Sequence, residues 1–460
     1  MIEKITILHT NDMHSHLERW PQIRHFLNSY RKQLLRRDET VLTFDVGDAM
    51  DRNHVLTEAS QGRANINLLN GVHYDGVTIG NNEGLSLSHT DLNQLYEHAN
   101  FPILLANLLD NKTNQIPKWA HPYEIITTKN GTRIGVIGMT APFTLTYPLL
   151  GWQPLPVVAT LKMILKELAG KTDLNILLSH LGLPTDRHLA DQFPEVQIIL
   201  GAHTHHHLPK GEWRNQTLLA AAGRYGEHIG QVQLEIEDGQ FRQAKASTID
   251  VELLPKLTRD AETSAQYQDE GAKMLSQKKV ADIPQAFQRG INAKYRLIDL
   301  GLEALKARTE TDLAMLSTGM FLTDLPTGPV SMYELHQMLP HAVHPMRTKL
   351  KGKEVIRLMR EVKKNRNYLL GSPVYGMGFR GGKWGEIVWS GLELTNDDNV
   401  LVHGQPINLA KDYYIGGLDH YLFFPYFPTL EIMGKNELSY DTVLREDFAS
   451  YLAQQFPLKK

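Results

Sequence analysis

The feature that most constrains the fold is a series of short apolar runs in the first 205 residues. Each run has the length of a buried β-strand, and helical patterns separate the runs. Polar side chains that are able to bind a metal follow five of them, namely Asp12, His14, Asp48, Asn81, His180, His203 and His205. Because loops at the carboxyl ends of strands in an α/β sheet meet along one edge, these side chains are predicted to lie together.

The organisation of the chain predicts two domains. At 460 residues the chain is too long for one ordinary core. Strands alternate with helices up to about residue 205, and strands dominate after it. A polar stretch then lacks apolar periodicity. We therefore predict a first domain at 1–254, a connector at 255–285 that acts as a hinge, and a second domain at 286–460.

Composition excludes several classes of function. The net charge of −3 gives no basic surface of the kind that nucleic-acid binding requires. The absence of cysteine removes disulfides, thiolate ligands and a cysteine nucleophile. No run reaches the roughly 18 apolar residues of a membrane helix. No basic and apolar leader precedes Ile5–Leu8, so we expect a cytoplasmic protein.

The candidate ligands combine carboxylate, amide and imidazole groups. This mixture suits a pair of borderline divalent ions and is compatible with Mn²⁺, Zn²⁺, Fe²⁺ or Co²⁺. Each motif taken alone also fits a hydrogen-bonded loop residue, and H-T-H by itself favours neither interpretation. The five motifs together favour two metal ions, an arrangement that cleaves phosphate esters.

The spacing of the ligands predicts their local geometry. Asp12 and His14 alternate, as do His203 and His205, so an extended backbone would direct each pair to one side. Gly47 would allow the tight turn that brings Asp48 to the centre of the site.

The order T-N-D-M-H, D-V-G-D, G-N-N-E, S-H-L-G, G-A-H-T-H resembles that of the calcineurin-like metallophosphoesterases, and specifically the bacterial 5′-nucleotidase and UDP-sugar hydrolase family. Later segments, A-M-L-S-T-G-M-F-L, L-P-H-A-V and W-S-G-L-E-L, echo the C-terminal signature of that family. The resemblance implies a four-layer α/β/β/α sandwich, followed by an α+β domain that binds the nucleotide.

The resemblance also implies two metal sites and a reaction. Asp12, His14, Asp48 and His205 would hold one ion. Asp48, Asn81, His180 and His203 would hold the other, with Asp48 as the bridge. A hydroxide between the ions would attack phosphorus, and phosphate would leave a nucleotide or nucleotide sugar.

One motif departs from the family pattern. The family reads G-N-H-E-F-D where this chain reads G-N-N-E-G-L, so Asn82 replaces the catalytic His and Leu85 the Asp. Asparagine donates a hydrogen bond but does not transfer a proton. Loss of a general acid forfeits about 10²–10⁴ in rate, and less for a good leaving group such as a diphosphate. His16 and His54 are the nearest candidate replacements, although each also fits an exposed loop histidine.

The second domain departs from the family as well. Leu322 stands where an Arg near the phosphates is expected, and Arg347 and Arg380 are candidate replacements. Two aromatic rings would sandwich the base, whereas the remaining rings would pack in the core. The candidate rings are Tyr375, Phe379, Trp384, Phe423, Phe424 and Tyr426.

Two other functions remain open from the sequence. A 2′,3′-cyclic-nucleotide phosphodiesterase shares the same two-domain plan. A weakly catalytic, metal-retaining nucleotide-binding protein would also tolerate Asn82 and Leu85. The expected partner is a small nucleotide or nucleotide-sugar substrate, without nucleic acid or membrane, and the oligomeric state stays open.

Overall fold

The structure is a computed structural model that describes residues 2–237, 239–371, 373, 376 and 378–459. Two compact units divide the chain, Met1–Gly271 and Ala272–Lys460. The division falls inside the stretch predicted as a connector, within a helix at Asp260–Gln277. Tyr375, one of the aromatic candidates, lies outside the described residues.

The first unit contains thirteen named strands among its described residues. They are β1 (Ile2–Thr10), β2 (Thr40–Asp45), β3 (Gly76–Val77), β4 (Leu108–Asp110), β5 (Tyr123–Thr127), β6 (Arg133–Thr140), β7 (Trp152–Pro154), β8 (Leu174–His180), β9 (Ile198–Gly201), β10 (Glu212–Arg214), β11 (Thr217–Ala220), β12 (His228–Glu237) and β13 (Gln240–Asp250). Its helices are α1 (Trp20–Arg36), α2 (Val55–Ser60), α3 (Arg63–Leu69), α4 (Asn81–Ser86), α5 (His89–Leu95), α6 (Val157–Leu168) and α7 (Leu183–Gln192), and α8 (Asp260–Gln277) spans the division between the units.

Most of these strands form two sheets. The first has the order β13-β12-β1-β2-β3, with β1, β2 and β3 parallel. The second has the order β10-β11-β9-β8-β6-β5, with β6, β8, β9 and β11 parallel. A separate pair is formed by β4 and β7.

Side chains from both sheets share one core, which fixes the layering. Ile176 and Leu178 of β8 join Ile7 of β1 and Phe44 of β2 in this core. Leu177, between them in sequence, packs on the opposite face with residues of α6 and α7. A strand buried on both faces needs an unbroken apolar run, as the sequence shows. With α1 on the first sheet, the layers are the predicted α/β/β/α.

One predicted strand is not regular. The run Ile103–Ala106 makes only isolated bridges, because its backbone partners are split between the two sheets. Leu104 N–H donates to the carbonyl of Val77 in the first sheet (2.7 Å), and Ala106 N–H donates to that of Gly138 in the second (2.8 Å). The segment therefore crosses between sheets rather than extending either one.

The second unit is α+β, as predicted. Its strands are β14 (Lys279–Ile283), β15 (Leu313–Ser317), β16 (Gly328–Ser331), β17 (Pro345–Lys351), β18 (Ile387–Ser390), β19 (Leu392–Leu394), β20 (Val400–Val402), β21 (Gln405–Pro406), β22 (Asp412–Leu418) and β23 (Lys435–Leu438). Its helices are α9 (Leu297–Thr309), α10 (Met332–Met338), α11 (Gly352–Gly371), α12 (Pro428–Met433) and α13 (Leu444–Gln455). A sheet of order β18-β15-β22-β17-β23 packs against α9 and α11 around one core. Across the described residues, every helix is too short or too polar to cross a bilayer.

Candidate metal centre

The seven candidate ligands follow five parallel strands from both sheets. Asp12 and His14 come just after β1, Asp48 after β2, and Asn81 after β3. His180 is the last residue of β8, and His203 and His205 follow β9. The loops at the carboxyl ends of these strands therefore meet in one polar cluster.

Asp12, His14 and His205 form the first group. Their ligand atoms all lie within 4.8 Å of one another. Asp12 Oδ1 is 3.8 Å from His14 Nε2 and 3.6 Å from His205 Nε2, and the two imidazole nitrogens are 3.0 Å apart. Three donor atoms thus converge on one small volume.

Asn81, His180 and His203 form the second group, and Asp48 connects it to the first. Asn81 Oδ1 lies 2.8 Å from His203 Nδ1 and 3.3 Å from His180 Nε2. Asp48 Oδ2 lies 3.5 Å from His180 Nε2 and 3.6 Å from His14 Nε2. A single carboxylate therefore contacts both groups.

The backbone at these ligands is not extended, which corrects the expectation from their alternation. Asp12, His14, His203 and His205 have positive φ angles of 49°, 46°, 72° and 56°. Left-handed backbone is strained for residues other than glycine and concentrates at functional sites. Tight turns, rather than strand alternation, bring each pair together.

Residues around the ligands fix their orientation. His180 Nδ1 lies 2.8 Å from the Val46 carbonyl, so this nitrogen carries a proton and Nε2 is the nitrogen that faces Asn81 and Asp48. Asn11 Nδ2 donates to Asp12 Oδ2 (2.8 Å), and the backbone N–H of His203 donates to both Asp12 oxygens (3.1 Å). Such outer contacts are typical of metal-binding residues.

Glu83 joins two of the ligand loops, and sequence reasoning did not assign it a role. Its buried carboxylate accepts backbone N–H bonds from Asp48 (3.0 Å), Met50 (3.1 Å) and Gly80 (2.8 Å). The signal was present, because Glu83 is the last letter of G-N-N-E.

Burial and charge act in opposite directions within the cluster. Burial, followed by the Asp48 charge, raises the pKa of Asp12 to about 7. Burial alone would lower the pKa of His180, but the Asp48 carboxylate outweighs it and raises this pKa to about 10. Burial lowers the pKa of His203 and of His205 to about 4, so both imidazoles are neutral and able to donate a lone pair.

These donors fit divalent cations. Two buried carboxylates and an amide oxygen face imidazole nitrogens, and all are oxygen or nitrogen donors. Like charges held together in a buried site are costly unless cations balance them. The geometry and the chemistry of the donors therefore agree.

Asn82, which stands in place of the family's catalytic histidine, and the candidate substitutes His16 and His54 lie in different surroundings. Asn82 donates from its backbone to Asp48 Oδ1 and from its side chain to Asp48 Oδ2, both at 2.7 Å. His16 Nδ1 lies 2.8 Å from a carboxylate oxygen of Glu18. His54 accepts the Leu56 N–H at Nδ1 and faces the side-chain amide of Gln268 at Nε2. Asn82 is thus directed at a candidate ligand, and both nitrogens of His54 are occupied.

The candidates in the second unit divide into buried and exposed residues. Phe379 and Trp384 are core residues, 2% and 0% exposed, whereas Phe423 is 42% exposed. Phe424 is half-buried and packs edge-on against Trp384.

The two arginine candidates make different contacts. The Arg347 guanidinium lies 4.4 Å from the centre of the Tyr414 ring. The backbone N–H of Arg380 donates to His341 Nδ1 (2.8 Å), and its guanidinium donates to the Phe379 carbonyl. Both side chains are half-buried.

Comparison with known proteins agrees with this architecture. Residues 5–207 match the calcineurin-like phosphoesterase family, and residues 279–423 match the 5′-nucleotidase C-terminal domain. YunD, an uncharacterised metallophosphoesterase of Bacillus subtilis, is 35% identical over 99% of this chain and 100% of its own length. A 5′-nucleotidase of Vibrio vulnificus is 23% identical over 89% of this chain and 83% of that protein.

Solved structures resemble nearly the whole chain. A 5′-nucleotidase precursor from Thermus thermophilus matches with a TM-score of 0.59 and 20% identity, covering 99% of this chain and 97% of its own. A putative 5′-nucleotidase from Staphylococcus aureus matches with a TM-score of 0.68 and 14% identity, covering 98% and 97%. The chain therefore belongs to the calcineurin-like metallophosphoesterases that carry a 5′-nucleotidase C-terminal domain. Hydrolysis and the use of divalent metals are properties of this family.

Proposed function

We propose that the protein is a two-metal phosphohydrolase that releases phosphate from nucleotides or nucleotide sugars. The position of Asp48 carries this proposal, because its Oδ2 lies within 3.6 Å of histidines in both ligand groups. One carboxylate that reaches two neighbouring groups suits a bridging ligand, and paired ions are widely used to cleave phosphate esters.

The ligand assignment follows the two groups. Asp12, His14, Asp48 and His205 would hold one ion, and Asp48, Asn81, His180 and His203 the other. Bound divalent ions would supply Lewis-acid stabilisation of the phosphate oxygens and would lower the pKa of a water molecule. The donor set accepts Mn²⁺, Zn²⁺, Fe²⁺ or Co²⁺.

We assign Asn82 the task of orienting Asp48 rather than that of a proton donor. Its backbone and side chain bind the two oxygens of Asp48, and an amide does not release a proton near neutral pH. His16, oriented by Glu18, is the better placed of the two histidine candidates. Substrates whose leaving group departs without a proton, such as diphosphates, fit this site best.

In the second unit, we assign the exposed ring of Phe423 and the neighbouring Phe424 to contact with the base. Stacking on an aromatic ring contributes about 1–3 kcal/mol per base and tolerates any base. Arg380 and Arg347 remain the candidate cations of this unit. The buried Phe379 is the least suited of the predicted substrate-binding residues, because a ligand would first have to displace it.

Elemental analysis combined with a phosphate-release screen tests the proposal. The purified wild-type protein should contain divalent metal and release phosphate from nucleotides, whereas Asp48→Asn should lose both. Asp38→Asn, an exposed change in the same unit, is the matched control and should behave as wild type. Full turnover by the Asp48 variant would refute the bridging role.

The same screen separates the alternatives. Release from 2′,3′-cyclic nucleotides but not from 5′-nucleotides or nucleotide sugars would identify a cyclic phosphodiesterase. Metal-loaded protein with no turnover above the metal-free background would identify a binding protein.

A further inference from the structure

A short turn beside the candidate metal centre presents a positive charge that has no role in the proposed metal site or in the proposed contacts with the base. Residues Gly223, Arg224, Tyr225 and Gly226 form this turn, which we call the Arg224 turn. Arg224 is exposed, and its guanidinium carbon lies 4.5 Å from the centre of the Tyr225 ring. Among the described residues Arg224 has no carboxylate partner, so its charge is available to a ligand.

The Arg224 turn is fixed to the metal centre through its backbone. Tyr225 N–H donates to the Asp12 carbonyl (2.7 Å), and Asn11 Nδ2 donates to the Gly223 carbonyl (2.8 Å). Arg19 binds the Tyr225 carbonyl from the other side (3.1 Å). Tyr225 itself has a φ of 60°, a strained value for a residue other than glycine.

The Tyr225 ring is close both to Arg224 and to two of the ligand histidines. Its centre is 5.8 Å from that of His14 and 6.2 Å from that of His205. The distance from the Arg224 guanidinium to the His205 ring therefore cannot exceed the sum of the Arg224–Tyr225 distance (4.5 Å) and the Tyr225–His205 distance (6.2 Å). The ions would hold the phosphate that reacts, and a guanidinium within this limit can reach the next anionic group along a substrate.

We propose that Arg224, supported by Tyr225, binds a second phosphate of the substrate and makes the site selective for diphosphate esters. This inference rests on the proposed phosphohydrolase function and deepens it by naming the substrate class. A guanidinium binds phosphate oxygens through two parallel hydrogen bonds, which favours arginine at such positions. The turn lies in the first unit, whereas the Arg of the family's second domain is replaced here by Leu322.

The test uses the full-length, Mn²⁺-loaded protein and the variants Arg224→Gln and Arg224→Lys. Calorimetry with α,β-methylene-ADP, which has two phosphorus centres, and with inorganic phosphate, which has one, measures binding without turnover. Arg224→Gln should lower the affinity for α,β-methylene-ADP by about tenfold or more and leave the affinity for inorganic phosphate unchanged. Arg224→Lys should fall between, because lysine keeps the charge but not the paired hydrogen bonds.

The matched control is Arg36→Gln, an exposed arginine at the end of α1, which should bind both ligands as wild type does. Equal binding of α,β-methylene-ADP by wild type and Arg224→Gln would overturn the proposal, as would equal weakening of both ligands. Hydrolysis of p-nitrophenyl phosphate distinguishes failure of the diphosphate assignment from failure of the proposed phosphohydrolase function. If it persists in wild type while the calorimetry shows no role for Arg224, only the diphosphate assignment fails. If wild type hydrolyses no phosphate ester at all, the proposed function fails.

Discussion

At the scale of single residues, Glu83 shows how one buried side chain can hold a site together. Three backbone N–H groups from two loops converge on its carboxylate, and those loops carry Asp48 and Asn81. Burial, followed by the Asp48 charge, raises its pKa to about 7. Its position therefore couples the geometry of two candidate ligands.

Replacing Glu83 by Gln should weaken metal binding by about 10–100-fold, the usual effect of removing an outer contact at a metal site. The amide keeps the size of the side chain but turns one acceptor into a donor facing backbone N–H groups. Titration with Mn²⁺ measures the change. Glu97→Gln, an exposed change, is the control, and equal affinities in the two variants would argue against the role of Glu83.

His420 is a second informative residue, and it lies in the other unit. It is fully buried, stacks on Trp384 with ring centres 4.8 Å apart, and has no hydrogen-bond partner for either nitrogen among the described residues. Burial lowers its pKa to about 4, although the Asp419 charge opposes this. A buried polar group without a hydrogen-bond partner destabilises the folded state and so lowers the free energy of unfolding.

His420→Phe should raise the free energy of unfolding by about 1 kcal/mol near neutral pH, because an apolar ring replaces an unsatisfied polar one. The unfolded state binds a proton near pH 6.5 and the folded state near pH 4, so titration of this histidine lowers the free energy of unfolding as pH falls between these values. Thermal unfolding followed from pH 8 to 4 should therefore show a weaker loss of stability in the variant.

His341→Phe provides the contrast for that experiment. His341 lies 2.7 Å from the Met320 carbonyl at Nε2 and accepts the Arg380 N–H at Nδ1, so its removal should destabilise the protein. Equal destabilisation by the two variants would contradict the expected gain from removing the unsatisfied polar atoms of His420.

At the scale of elements, two loops approach each other through glycine. A Cβ on Gly47 would lie 2.4 Å from Gly80 N, and one on Gly80 would lie 2.0 Å from Asp48 Oδ1. Gly47 also has a φ of 87°, as the predicted tight turn requires. The ends of β2 and β3 are therefore close enough for Asp48 and Asn81 to meet only because both residues lack side chains.

Gly80→Ala should remove metal binding while leaving the secondary structure intact. The φ of Gly80 is −99°, which alanine adopts easily, so the effect would come from the clash with Asp48 alone. Elemental analysis and circular dichroism measure the two properties. Gly371→Ala, where a Cβ would meet nothing within 4 Å, should change neither, and retained metal in Gly80→Ala would contradict the steric argument.

The pattern of elements in the first unit was largely predictable because its central parallel strands are buried on both faces. Such strands leave continuous apolar runs, as in β6 and β8, and the run predicts the strand directly. The run at 103–106 is equally apolar but crosses between the sheets. Its hydrogen-bond partners are distant in sequence, so no local pattern distinguishes it from a strand.

At the scale of the whole molecule, each unit has its own core. One core lies between the two sheets of the first unit, and another surrounds the five-stranded sheet of the second. The candidate ligands all belong to the first unit. A ligand that binds only the folded state stabilises the unit that holds it.

Chelation should therefore lower the unfolding temperature of the first unit and leave that of the second unchanged. Ions present at 1,000 times their dissociation constant stabilise the folded state by about 4 kcal/mol. Differential scanning calorimetry with and without EDTA measures the effect. The Asp48→Asn variant should show no EDTA effect, and a shift of both transitions together would contradict independent unfolding.

The sequence by itself predicted the alternating strands and helices, the two domains and the seven candidate ligands, and its resemblance to a known family implied the α/β/β/α and α+β architectures. Apolar periodicity and the position of polar residues after strands are local properties, so they can be read along the chain. Only the tertiary structure decided that Asp48 contacts both ligand groups, that Asn82 is directed at Asp48, and that Arg224 packs on the Tyr225 ring near His205. Those distances depend on left-handed turns and on loops packed from remote parts of the chain, and no local pattern encodes them.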